Sequence, residues 1–145
     1  MTEKEVRDYV LKIKTELDDL VKKLSQIDDL RTIAENCTAR TDKEPVQTSG
    51  SGDKMSKIVG RIVDLEREVA KLRESYTNRK RTVLEMSQKL GNERHGKYLE
   101  VRYVDGNSFY DTVMIMDLSD STARRIDRKA ISELTKVMND EKLKI

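Results

Sequence analysis

The sequence predicts an all-α protein: a long antiparallel helical hairpin of coiled-coil character, followed by a small helix-turn-helix domain. Three observations carry this. Charged residues make up 39% of the chain and apolar residues 36%, with no Trp and one Phe, too little to fill a large compact core. Pro occurs once and Gly six times in 145 residues otherwise rich in Glu, Lys, Leu and Arg, a composition of long helices. Apolar residues also recur at helical spacing in three separate stretches.

In the first stretch Val6, Val10, Ile13, Leu17, Leu20, Leu24 and Ile27 follow one another at alternating steps of four and three. This is a heptad seam, continued less regularly by Leu30, Ile33 and Ala34, and it predicts a helix over about residues 3–36. The second stretch is longer: Met55, Ile58, Ile62, Leu65, Val69, Leu72, Tyr76, Arg79, Val83, Met86 and Leu90, with Arg79 the one charged member. It predicts a helix over residues 54–90, about 54 Å long at roughly 1.5 Å per residue. Between them, "CTARTDKEPVQTSGSGD" holds Pro45, which forbids continued helix, and a Ser-Gly-Ser-Gly run. Residues 37–53 are therefore expected as a flexible loop in which the chain reverses. Tyr9, Leu11, Val21, Val59 and Val63 flank the seams and would stay wet in a lone hairpin, so a homodimer that pairs hairpins into a four-helix bundle is expected.

Adjacent Asp18/Asp19 and Asp28/Asp29 point about 100° apart on a helix and read as a solvated face rather than an acid/base pair. Arg79 to Arg81 lie in the basic stretch 71–96 and read as a coiled-coil specificity device or solvated face, with phosphate contact as the alternative. Cys37 stands alone, which predicts a reducing, cytoplasmic compartment and an apolar filler role. His95 has no second His or Cys placed to share a metal and reads as a linker surface residue. "SGSGDK" lacks the preceding strand that a phosphate loop requires. No catalytic set, metal site or cofactor motif is found, and the protein is not expected to be an enzyme. The longest apolar run, Val113 to Met116, predicts no membrane span.

Residues 91–145 form the expected second domain, after residues 1–90. Leu99, Val101 and Tyr103 alternate with polar neighbours before Asp105-Gly106, which allows a β-ribbon over 98–115. The helical alternative is a short helix from Tyr98 ended by Gly106 and a second over 108–116 with Ser108 as N-cap. The last segment favours helix: Ala123, Ile126, Ala130, Leu134 and Val137 form a buried stripe behind the capping residue Ser119. On the opposite face Ser121 and Arg125 are placed for base edges, with Asp120 beside them, and Arg124, Arg128 and Lys129 for phosphates. A short helix, the turn Asp117-Leu118-Ser119 and this helix have helix-turn-helix spacing. The segment 97–145 carries as many acidic as basic groups, which argues against nonspecific polyanion binding and for two copies acting on one site.

"YLEVRYVDGNSFYDTVMIMDLSDSTARRIDRKAISEL" resembles region 4 of sigma-70-type factors. The matching positions are Leu99, Arg102, Tyr103, Gly106, Phe109, Leu118, Ser119, Thr122, Arg125, Ile126, Ala130 and Leu134. Carried over, the resemblance implies Asp120, Ser121 and Arg125 as base-facing residues, with Thr122 in the Ser-X-X-Thr opening. Thr112, Val113 and Ala123 depart from the pattern, which predicts a looser or differently angled recognition helix. Residues 1–138 as a whole resemble small phage regulators of the ArpU/RinA type, most clearly in "PVQTSGSGDKMSKIVGRIVDLEREV". That resemblance implies a phage or prophage activator of late genes, binding double-stranded DNA with host RNA polymerase in the bacterial cytoplasm. The alternative is a structural or assembly protein, or a DNA-packaging component of the small-terminase kind.

Overall fold

The computed structural model describes residues 1–43 and 49–143. Among these every regular element is helical and no strand occurs, so residues 98–115 take the helical alternative. The helices are α1 (Glu3–Lys43), α2 (Ser49–Gln88), α3 (Glu93–Leu99), α4 (Phe109–Met116) and α5 (Asp120–Leu143), and α3 runs directly into a π-helical turn over Glu100–Val104. Residues 37–43 continue α1 and residues 49–53 open α2, which corrects the loop expected over 37–53. Once a helix is nucleated each further residue adds a hydrogen bond, and the residues from Thr38 to Lys43 include no breaker. Gly50 and Gly52 each cost only about 1 kcal/mol relative to Ala. The remainder of that loop, with Pro45, lies outside the described residues.

The chain divides into two compact units, Met1–Glu16 with Tyr76–Ile145, and Leu17–Ser75. The expected boundary after residue 90 is thereby displaced: the first turns of α1 and the last turns of α2 share a core with the helix-turn-helix. That core joins Val6, Val10 and Ile13 of α1 to Val83, Leu90, Tyr98, Leu99, Ile126, Ala130, Ile131 and Leu134. Tyr98, Leu99, Val101, Tyr103 and Val104 are all buried, more than one stripe of a helix can account for. α3 and its π-helical turn are therefore the central helix, enclosed nearly all round.

In the unit Leu17–Ser75, α1 and α2 are antiparallel, with Lys23 paired to Glu68 at 3.2 Å and Arg31 to Glu66 at 2.8 Å. Leu20, Ile27, Ile58, Leu65 and Val69 fill the seam, each contributing about 1.5–3 kcal/mol on full burial. The flanking Val21, Val59 and Val63 are exposed within the single chain, as is Leu11 of the other unit.

Arg79 replaces an apolar residue in the seam because it has a partner there. Its Nε donates to Glu16 Oε1, and its guanidinium lies 4.3 Å from the centre of the Tyr9 ring. Among the alternatives for Arg79 to Arg81, this makes Arg79 a seam device rather than a phosphate contact. His95 is a second correction: it is buried, with Nδ1 2.9 Å from Glu133 Oε1, and no linker surface residue. The Asn92 side chain accepts from the N–H groups of Arg94 and His95 and starts α3 five residues before the expected Tyr98, which carries His95 into the fold. None of the described helices is long and apolar enough to cross a membrane.

Candidate nucleic-acid interface

α4, the turn Asp117 to Ser119 and α5 form the helix-turn-helix. Ser108 caps α4, accepting from Asp111 N at 3.1 Å. Thr112, at a position usually apolar in the sigma pattern, is fully buried but satisfied, its hydroxyl donating to Ser108 O at 2.8 Å. Asp117 ends α4 in the left-handed region at φ 52°, a conformation that Asp tolerates better than most side chains. Leu118 N then bonds back to Val113 O at 3.0 Å, the closing bond of a Schellman turn, and the Leu118 side chain packs against the core. Ser119 caps α5: its hydroxyl accepts from Thr122 N at 3.3 Å and donates to Thr122 Oγ1 at 2.8 Å.

α5 buries Ala123, Ile126, Ala130, Ile131 and Leu134 and leaves the predicted residues on its other side. Asp120, Ser121, Arg124, Arg125, Arg128 and Lys129 are exposed, while Thr122 is half-buried and engaged in the cap. Among the described residues none of these four cations has a carboxylate partner, so each remains available to an external anion. Arg124 lies over the Phe109 ring at 5.7 Å.

The orientation of α5 is fixed by a network that sequence reasoning missed. Asp127 Oδ1 accepts from the hydroxyls of Tyr103 at 2.6 Å and Tyr98 at 3.0 Å, and Oδ2 accepts from Arg7 Nη1 at 2.7 Å. Arg7 also donates to the Tyr103 hydroxyl at 3.1 Å. The two rings meet edge to face, 6.5 Å between centres. Burial, reinforced by the charge of Asp127 and the hydrogen bond to it, pushes both tyrosine hydroxyls well above their ordinary value. Burial alone would lower the Arg7 value, but the bond and charge of Asp127 outweigh it and the net direction is upward.

The network has an electrostatic consequence for the face beside it. An acidic residue between Arg124 and Arg128 would repel phosphate if exposed; here it is turned inward and neutralised by Arg7. Arg102 is held on the same side, donating to Asn107 O at 2.8 Å, with its guanidinium 5.1 Å from the Tyr103 ring centre. Arg7 and Arg102 thus join Arg124 and Arg128 around one concavity. Arg102 had a sequence signal in the Arg-Tyr pair. Arg7 had none, because its partners lie about a hundred residues away.

On α4, the large apolar side chains of Tyr110, Met114 and Ile115 are 72%, 79% and 59% exposed. No protein-family model, curated protein or solved structure matches the chain.

Proposed function

We propose that the protein is a sequence-specific DNA-binding transcriptional regulator of the ArpU/RinA type, a phage or prophage activator of late genes working with host RNA polymerase in the bacterial cytoplasm. The observation that carries this reading is the exposed face of α5. Its basic and hydroxyl side chains lie outward and unpaired by acids, on a helix whose angle is set by the cap at Ser119 and the bonds to Asp127. Ser121 and Arg125 read base edges, with Asp120 at the helix start, while Arg124, Arg128 and Lys129 hold phosphates.

Two further surfaces support the partners. Val21, Val59 and Val63 are the apolar surface that a homodimer covers, and dimerisation supplies the second copy that a weakly charged module needs. Tyr110, Met114 and Ile115 form the protein-facing surface through which polymerase is engaged.

Selection of bound duplexes from a randomised pool tests the reading. A single enriched motif, two-fold related if the dimer binds, is the expected result. Recovery of the pool without enrichment would refute sequence-specific binding and favour the assembly or packaging alternative, as would a ring-sized mass in place of a dimer.

A further inference from the structure

Beside α5, a cleft of about 580 Å³ is lined by Arg7, Arg102, Phe109, Arg124, Asp127 and Arg128, together with Tyr98 and Tyr103. All of these belong to one compact unit. The Arg7–Asp127 pair cancels its own charge, and the tyrosine hydroxyls are committed to Asp127. Arg102, Arg124 and Arg128 are left as three guanidiniums without a carboxylate partner among the described residues. Two of them are already ordered: Arg102 by Asn107 O and the Tyr103 ring, Arg124 by the Phe109 ring. For these two, less conformational entropy remains to be lost on binding an anion.

From this geometry we infer that the cleft is a seat for a phosphoryl group. A phosphoryl group offers several acceptor oxygens and more than one negative charge, which suits several forked donors better than a single carboxylate does. The volume falls in the range of small-molecule sites, about 300–1,000 Å³, so the seat has room for a phosphorylated small molecule as well as for one phosphate of a strand. The seat does not depend on the wider DNA-binding reading.

Calorimetric titration of the whole protein with inorganic pyrophosphate at fixed ionic strength tests it. One saturable site is expected, weakened about tenfold or more by Arg102→Gln and by Arg128→Gln. Lys136→Gln, which removes the same charge from the exposed side of α5 two turns further on, leaves it unchanged. Arg128 makes no hydrogen bond or ion pair among the described residues, so its variant decides the matter if Arg102→Gln fails to fold. No saturable binding, or equal loss in Lys136→Gln, would overturn the seat. A duplex titration then separates the sources. If Arg102→Gln weakens all duplexes alike and lowers the salt dependence, the seat takes a strand phosphate. If it leaves duplex affinity intact while pyrophosphate binding is lost, the seat serves a free phosphorylated molecule. Pyrophosphate binding without any duplex binding would count against the DNA reading and still support the seat.

Discussion

Asp127 shows how one residue can be structural and functional at once. Its carboxylate binds two buried tyrosines and a guanidinium from α1, and by facing inward it keeps the neighbouring arginines free of competition. The raised tyrosine values make a pH prediction. Below pH 10, the ordinary tyrosine value, both the folded and the unfolded chain keep the hydroxyl protons and the stabilisation is intact. Above it the unfolded chain releases protons that the folded chain retains, so stability falls as pH rises. Denaturant midpoints measured across that range should fall less steeply in the Tyr98→Phe, Tyr103→Phe double variant. An identical slope would contradict the assignment. None of this network was legible in the sequence, where Tyr98 and Tyr103 read as local helix residues and Asp127 as one charge among many. The exposed face itself was legible, because a run of Ser, Arg and Lys opposite an Ala/Ile/Leu stripe needs only helical periodicity to be recognised.

Among the elements, the close approach of α3 to the end of α2 is decided by Gly96. A Cβ there would stand 2.6 Å from Ser87 O, a backbone atom that cannot move aside alone. Gly to Ala inside a helix ordinarily stabilises by about 1 kcal/mol, so a loss of about 1–3 kcal/mol for Gly96→Ala, read by thermal melting, would show that packing reverses the propensity. The seam makes a comparable case. Arg79→Ala strands Glu16 in a buried position and should cost about 3–5 kcal/mol, whereas Glu16→Leu with Arg79→Leu should be near neutral or stabilising. A small loss in the single variant would show that the pair is not confined. The heptads were legible because alternating steps of four and three are a local signal. The helix ends were less so: α1 extends into the expected loop, where no breaker stands from Thr38 to Lys43, α2 begins within it despite Gly50 and Gly52, and the start of α3 turned on the cap at Asn92.

At the scale of the whole molecule, the sequence suggested a hairpin followed by a separable domain. The contacts divide differently, because Val6, Val10, Ile13 and Val83 complete the core beneath α3 and α5. This could not be read locally, since the same apolar spacing serves a hairpin seam and a domain core. The C-terminal fragment 91–145, lacking those side chains and Arg7, should not fold cooperatively. Near-ultraviolet circular dichroism and amide dispersion should show a loosely packed chain, and a sharp native transition would contradict the shared core. The all-α class, by contrast, followed from composition and periodicity together.

The most direct test of the central claim is the affinity of Arg125→Ala and Arg128→Ala for the selected duplex and for its single-base variants. Arg125→Ala should lose about 1–3 kcal/mol at one or two base positions and relax discrimination there. Arg128→Ala should weaken every duplex alike and reduce the salt dependence. Uniform losses in both variants, or no loss in either, would contradict base reading by α5.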